Sequence, residues 1–311
     1  MSYSIENKLV IGISSRALFD LNTEHGIFEK YGLEAYLKYQ TAHEREPMKP
    51  GPGFGLVKAL LGLNECADGK EPVEIIIMSH NSPDMSLRIF HTIEHYGLKI
   101  SRAVLAGGVS LMPYLEAMHV DLFLSTNEED VQRAIDGGFA AGIIDPASCA
   151  ENNVLYPFGK EEQMRIAFDA DAVLFSDESE RIFQQGGLKA FEENECRNAD
   201  IPLEPGPFAV FLKKLSELKK SDRIINDRIR TALVTSRCAP AHERVIRTLR
   251  HWDVQMDEAF FLGGLSKKEI LKAFGAQIFF DDQPVHLTSA AKVVPVARVP
   301  YRYVQQKVRL I

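Results

Sequence analysis

Short apolar runs alternate with amphipathic stretches along the whole chain, a pattern typical of α/β proteins. Each half contains four runs that are apolar enough to form buried strands. The predicted strands cover residues 9–13, 74–78, 103–106, 122–124, 165–169, 231–235, 259–262 and 276–280. Helices are expected between them, as in residues 242–250, where Val245, Ile246 and Leu249 recur at helical spacing. Alternating strands and helices predict parallel sheets, with functional side chains at the carboxyl ends of the strands.

The second half of the chain repeats the first at an offset of about 156 residues, shortened to 155 in places. Residues 78–96, for example, align with residues 234–252. A repeat of this length predicts two copies of one structural unit. We therefore expect two α/β units, residues 1–150 and residues 151–311. Whether the two units share one continuous sheet or form two packed sheets stays open at this point.

Five charged residues of the second copy, at or soon after predicted strands, align with neutral residues of the first copy. They are Asp169, Asp171, Lys267, Asp281 and Asp282, which align with Ile13, Ser15, Leu111, Ser125 and Thr126 of the first copy. One copy therefore has a charged constellation and the other has the scaffold without it. We expect the second unit to be catalytic and the first to be a degenerate, non-catalytic duplicate. The duplicate either has a structural role or binds a nucleotide regulator.

The order of the polar residues is more informative than any one of them. Asp169 ends a predicted strand and Asp171 follows two positions later, so both carboxylates can face the same way on an extended chain. Thr235 and Asp281 also end apolar runs. Ser266 and Glu269 match a capping box, which predicts that Lys267 lies on the first turn of a helix. Parallel strands would bring these groups to one edge of a sheet.

A long excursion separates the first two predicted strands of the second copy. It contains apolar residues at helical spacing and the amphipathic stretch 208–219. We interpret residues 176–230 as a helical cap inserted above the site.

Composition narrows the class of protein without identifying it. The chain has 311 residues, 45% of them hydrophobic, and a formal net charge of −7, which disfavours nucleic acid as a partner. The four cysteines, Cys66, Cys149, Cys196 and Cys238, have no metal-ligand spacing and are expected to be free thiols of a reducing cytoplasm. No signal-peptide pattern and no run of about 18 apolar residues occurs, so we expect a cytoplasmic protein without a membrane anchor.

The four signals occur in the order found in the haloacid dehalogenase superfamily, which the sequence resembles. Four segments resemble the cytosolic 5'-nucleotidase type I family more narrowly: residues 169–180, 239–244, 261–264 and 278–283. The resemblance extends over most of the chain. It implies a parallel-sheet, Rossmann-like core with a helical cap. It also implies hydrolysis of a nucleoside 5'-monophosphate, with AMP favoured. Cys238 interrupts the segment that follows Thr235.

The resemblance also implies a role for each residue of the constellation. Asp169 would be the nucleophile that forms an aspartyl-phosphate, Asp171 the general acid and base, and Lys267 the cation that neutralises developing charge. Phosphate oxygens would be held by Thr235, Ser236 and Arg237. Mg²⁺ would be bound by Asp169, Asp171, Asp281 and Asp282. The substrate would contact Phe175, Asp177 and Glu178 beneath the cap; the alternative for these three is a hinge and a helix cap that pairs Asp177 with Glu180.

Two other functions stay open. The same chemistry could serve a sugar phosphate or another small phosphomonoester, because the cap sets the choice of substrate. A catalytically idle nucleotide-binding protein would fit the first half, but it leaves the charged residues of the second half unexplained. The nine histidines have no metal-binding spacing and are expected to be structural or exposed. The expected partner is a small-molecule nucleotide, and assembly into a homo-oligomer stays open.

Overall fold

A computed structural model describes most of the chain, in residues 4–67, 70–83, 86–146, 148 and 163–301. The predicted unit boundary near residue 150 and Cys149 lie outside these ranges. Cys66, Cys196 and Cys238 are free, as predicted.

Twelve strands occur in the described part of the chain: β1 Leu9–Ile13, β2 Phe19–Asp20, β3 Lys49–Pro50, β4 Val73–Ser79, β5 Arg102–Leu105, β6 Leu122–Ser125, β7 Ala140–Ile144, β8 Met164–Phe168, β9 Ile229–Thr235, β10 Glu258–Phe261, β11 Ile278–Asp281 and β12 Val296–Arg298. All eight predicted strands are present, with ends shifted by up to two residues. The strands that the pattern missed are β2, β3, β7 and β12.

The described residues also form twelve helices: α1 Ser15–Leu18, α2 Asn22–Ala42, α3 Phe54–Cys66, α4 Leu87–His95, α5 Met112–Ala117, α6 Glu128–Asp136, α7 Glu178–Arg197, α8 Ala209–Ser221, α9 Arg223–Arg228, α10 His242–His251, α11 Lys268–Phe274 and α12 Pro284–Ala290. Helix α10 confirms the prediction for residues 242–250. None of the helices in the described ranges has the length and apolar character needed to cross a membrane.

Ten of the strands form one continuous sheet, in the order β10-β9-β8-β11-β12-β7-β6-β1-β4-β5. All neighbours are parallel except β12 and β7, which pair antiparallel with Ala297 opposite Ile144. The five strands before residue 150 therefore run against the five that follow it. Consequently, the carboxyl ends of the two sets of strands lie on opposite sides of the sheet. Each set therefore has its own row of carboxyl ends, where functional side chains are expected.

Matching contacts recur in the two halves of this sheet. The backbone nitrogen of Met48 donates to Thr92 Oγ1, and that of Leu203 donates to Thr248 Oγ1. The edge strands carry an ion pair with exchanged signs: Glu74 with Arg102 at 2.5 Å, and Arg230 with Glu258 at 2.7 Å. These pairs identify corresponding positions in the two halves.

The same comparison corrects one position of the sequence alignment. The Asp169 nitrogen donates to the Phe280 oxygen, and the Ser14 nitrogen donates to the corresponding oxygen of Leu124. The position of Asp169 is therefore occupied by Ser14 in the first half, not by Ile13. The sequence alignment is displaced by one residue here, because the side chains of an apolar strand are too similar to show which residues correspond.

The excursion predicted as a cap divides into two parts. Helix α8 packs against β1 and β7, so it belongs to the layer that covers the sheet. Helix α7 buries only Ser179 and Glu195 and bends at Gly187, whose φ of 70° favours glycine. Helix α2 of the first half bends in the same way at Gly32, with a φ of 78°. The assignment of residues 176–230 as a cap stays a prediction; within this segment, α7 has the exposure that a cap would have.

A buried ion pair ties α8 to the sheet. The side chain of Lys219 is fully buried, and its Nζ lies 2.5 Å from Asp257 Oδ2. The same carboxylate accepts hydrogen bonds from the backbone nitrogen and Oγ1 of Thr231. Burial opposes the charge, but these donors outweigh it and lower the pKa of Asp257.

Asp257→Asn is expected to lower the free energy of unfolding by about 3 kcal/mol at pH 7, because Lys219 would keep a buried charge without an opposite one. The pKa of Asp257 is lower in the folded chain than in the unfolded chain. Its contribution is therefore complete above about pH 4 and is lost as the pH falls through the folded value. Urea unfolding of the unmodified chain and of Asp257→Asn, at pH 7 and at a pH below the folded pKa of Asp257, measures this loss of stability. A difference that does not narrow at low pH would contradict the assignment.

Candidate active site

Two carboxylates meet where neighbouring strands of the second half end. Asp281 is the last residue of β11, and Asp169 directly follows β8. These strands are parallel neighbours, with Phe280 opposite Phe168. Both acids are buried: Asp281 is completely inaccessible to solvent, and Asp169 is 5% exposed. The predicted convergence of these two residues on one sheet edge is therefore present in the structure.

Lys267 lies between the two acids. Its Nζ is 2.8 Å from Asp169 Oδ1 and 2.7 Å from Asp281 Oδ2, and its side chain is 1% exposed. Burial disfavours the ammonium ion, but the two carboxylates raise the pKa of Lys267 and keep it charged. The aligned residue of the first half, Leu111, holds the same place before α5 and can form no such bridge.

The helix start predicted around Lys267 is displaced by one residue. Lys267 is itself the N-cap of α11, and no side chain makes a capping hydrogen bond there. Ser266 was predicted to be the N-cap, but its Oγ only accepts a 3.4 Å contact from the Lys268 nitrogen. The helix begins one residue later than the capping box indicates, and the Lys267 side chain is directed into the site by its two acids.

A third potential ligand, His286, was not predicted. It lies on α12, and its Nδ1 is 3.2 Å from Asp281 Oδ2. Ligand atoms of Asp169, Asp281 and His286 all lie within 4.8 Å of one another. The sequence signal for His286 is its position on the first turn of the helix that follows the Asp281-Asp282 pair, which metal-motif spacing does not capture.

Burial strongly affects the pKa values of the acids at this site. Burial raises the pKa of Asp169 to about 7, although Lys267 opposes the shift. Burial, together with the charges of Asp169 and Asp281, raises the pKa of Asp282 to about 8. Asp282 Oδ1 is buried and has no hydrogen-bond partner. A set of buried carboxylate oxygens with one unpartnered atom fits a hard divalent cation.

Asp171 lies apart from this group of ligand atoms. Both of its oxygens accept hydrogen bonds from Arg237, at 2.9 Å from Nε and 2.6 Å from Nη2. Arg237 also donates to Glu195 on α7 at 2.5 Å. The assignment of Asp171 and Asp282 as metal ligands stays a prediction, because the closely spaced atoms belong to Asp169, Asp281 and His286.

The predicted phosphate-binding loop follows β9. Thr235 is buried at the end of the strand, and its Oγ1 accepts a hydrogen bond from the Arg237 nitrogen. Ser236 is exposed. The neighbouring Gly263 is held against this loop, since its nitrogen donates to the Arg237 oxygen. Thr235 and Arg237 thus border the Asp169–Asp171 segment, but Arg237 already binds two carboxylates.

The three predicted substrate contacts have different environments. Phe175 is fully buried, and its ring packs 5.3 Å from that of Trp252, so this structure gives it a packing role. Asp177 is the N-cap of α7 but makes no capping hydrogen bond with its side chain. It lies 3.3 Å from Arg181. Glu178 is partly exposed and lies 3.8 Å from Arg244. Of the three, only Asp177 and Glu178 are accessible at the base of α7.

Comparison with known proteins identifies the family of this chain. A model of the 5'-nucleotidase family matches residues 1–306. The chain belongs to the 5'-nucleotidase family. It is also similar to human cytosolic 5'-nucleotidase 1B, with 37% identity over 307 residues that cover 94% of this chain and 48% of the human protein. The chain thus spans about half the length of that relative. No solved structure matches it significantly.

This membership confirms the family that the sequence was predicted to resemble. The matched region includes both halves, so the first half is part of the family's sequence and not an unrelated addition. Asp169, Asp281 and Lys267, three of the residues that carry the resemblance, are brought together where β8 and β11 end.

Proposed function

We propose that this 5'-nucleotidase family member is a Mg²⁺-dependent phosphatase that releases phosphate from nucleoside 5'-monophosphates, with AMP favoured. The observation that carries the proposal is the position of Lys267, whose Nζ bridges Asp169 and Asp281 at 2.8 and 2.7 Å. A buried ammonium ion beside a potential nucleophile suits a reaction in which an anionic phosphate must approach an anionic carboxylate. The human relative, a cytosolic 5'-nucleotidase, supports the substrate class and a cytoplasmic location.

Asp169 and Asp281 would hold the metal ion, with Asp282 and His286 beside them. When bound, Mg²⁺ supplies positive charge that lowers the repulsion between the phosphate and the carboxylates. Asp169 attacks phosphorus and forms a phosphoaspartate while the bond to the 5'-oxygen breaks. Asp171 gives its proton to that oxygen, releasing the nucleoside. Asp171 then takes a proton from the water that cleaves the phosphoaspartate, which returns Asp169 and releases phosphate.

The remaining roles follow from position. Thr235 and Ser236 would bind non-transferring phosphate oxygens from the loop after β9, whereas Arg237, the third residue predicted for this role, is held by Asp171 and Glu195. Helix α7, with Asp177 and Glu178 at its base, would cap the site of a haloacid dehalogenase-like core. The recurring contacts of the two halves support the proposal that residues 1–150 are a non-catalytic duplicate of the unit in residues 151–311. The duplicate's strand ends lie at the opposite sheet edge, so we assign it a structural role.

Phosphate release from a panel of nucleoside monophosphates and sugar phosphates, with Mg²⁺ and with EDTA, tests this proposal. We expect turnover of AMP above all sugar phosphates and loss of turnover in EDTA. Preference for a sugar phosphate would keep the chemistry and refute the substrate. Nucleotide binding without any phosphate release would favour an idle binding protein instead.

A further inference from the structure

Glu195 is a fully buried acid on α7, held between two arginines of the core. Its Oε1 accepts hydrogen bonds from Arg244 Nη1 at 3.0 Å and Ser179 Oγ at 2.9 Å. Its Oε2 accepts one from Arg237 Nη1 at 2.5 Å. A buried carboxylate with two cationic partners fixes the relative positions of the groups that it joins.

Arg237 passes this constraint on to the proposed acid. Its Nη1 binds Glu195, whereas its Nε and Nη2 bind both oxygens of Asp171. The guanidinium also lies 5.2 Å from the centre of the Phe191 ring. Glu195 and Phe191 both follow the bend of α7 at Gly187. The candidate cap therefore holds Arg237 at two points, and Arg237 holds Asp171.

The first half of the chain contains some contacts of this network without the others. There Arg88 corresponds to Arg244, and Gln40 corresponds to Glu195; Arg88 Nη1 donates to Gln40 Oε1 at 3.2 Å. Arg88 Nη1 also donates to the buried acid Glu24 of α2 at 2.6 Å, so the first half keeps an acid–arginine contact between helix and core but places the acid elsewhere on the helix. At the position of Arg237 the first half has Asn81. The second arginine occurs only in the half that contains Asp171, where it joins Glu195 to that residue.

We propose that Glu195 is a positioning residue for Asp171, acting through Arg237 to couple α7 to the placement of the proton donor. Glu195 touches neither the phosphate nor the leaving group. The inference rests on the proposed function, since Asp171 needs placing only if a proton must pass from its carboxyl group to the leaving oxygen as the bond from phosphorus to oxygen breaks.

Two substrates that differ only in the leaving atom test this role. One is AMP, whose 5'-oxygen leaves poorly unless it is protonated. The other is its analogue with sulfur in place of the bridging 5'-oxygen, which leaves as a thiolate without a proton. The measurement is nucleoside release in a single turnover with Mg²⁺, so that hydrolysis of the phosphoaspartate does not contribute.

Glu195→Gln is expected to slow release from AMP by about 10- to 100-fold, a part of what a general acid contributes. Release from the sulfur analogue should fall less than about threefold by the same reasoning. Arg237→Lys, which keeps a charge but loses the two-pronged contact, should show the same difference between substrates. Equal losses on both substrates, or no loss on AMP, would overturn the proposal.

Gln40→Leu is the matched control. Gln40 is buried, as Glu195 is, and occupies the corresponding position, but it belongs to the half without Asp171. It should leave both rates unchanged, and thermal unfolding should show whether each variant is folded. If Glu195→Gln does not fold, Arg237→Lys alone decides between the outcomes. No release from either substrate by the unmodified chain would instead refute the proposed function, and this inference with it.

Discussion

Asp169→Asn is expected to reduce phosphate release from AMP by at least about 10⁴-fold, because an amide cannot form the phosphoaspartate. The side chain changes little in size, and its neighbours Lys267 and Asp281 remain paired at 2.7 Å. The fold should therefore persist. Initial rates with saturating Mg²⁺ measure the loss, and thermal unfolding reports on the fold.

The first half offers a control for this substitution. Ser14 occupies the position that corresponds to Asp169, and its side chain caps α1 by accepting a hydrogen bond from the Ala17 nitrogen. Asparagine is an equally good N-cap, so Ser14→Asn keeps the local structure. It should retain full activity. Comparable activity of Asp169→Asn and the unmodified chain would refute Asp169 as the nucleophile, and inactivity of Ser14→Asn would refute the division of roles between the halves.

Residues 151–311 alone are expected not to reach a cooperatively folded state, although they contain every proposed catalytic residue. Removing the first half would expose β12 as an edge and uncover the face of α8 that packs on β1 and β7. It would also remove Gly142, where a Cβ would lie 3.2 Å from Phe280. The expected result is a loss of the urea transition seen in the full chain and a loss of phosphate release.

Supplying the missing contacts in trans should reverse this loss. We expect co-expression of residues 1–150 with residues 151–311 to restore a folded, active complex, because the strand pairing and the Lys214–Asp121 ion pair at 2.7 Å do not need a continuous chain. A full chain cleaved at a protease site inserted after residue 150 should stay active for the same reason. A cooperative unfolding transition and activity in residues 151–311 alone would refute the structural role of the first half.

Local patterns were sufficient to predict eight of the twelve described strands and three residues of the candidate site. Eight strands are apolar enough to be recognised individually; six of them are buried along most of their length, as strands covered on both faces are, and the outermost strands β5 and β10 are partly exposed. Asp169, Asp281 and Lys267 could be singled out because charged residues at buried strand ends conflict with burial unless they have partners. The repeat strengthened the prediction, since the first half has neutral residues at most of these positions.

Contacts between distant residues were beyond the reach of such patterns. Arg237 was predicted to bind phosphate, but it pairs with Asp171 and Glu195, 66 and 42 residues away. Phe175 was predicted to contact the substrate, yet its apolar ring is buried against Trp252. His286 joins the acids because α12 begins just after β11, and its ring nitrogen is placed by the helix rather than by a motif.

By itself, the sequence determined the alternation of strands and helices, the repeat, the family and the charged residues of the second half, because these depend on local composition and spacing. The tertiary structure decided that the halves share one sheet, which is joined through β7 and β12. Those two strands are short, and their pairing across 153 residues between Ile144 and Ala297 has no local signal. The tertiary structure also decided that Asp169 and Asp281 both pair with Lys267, because strand order and side-chain packing bring these residues together only once the chain is folded.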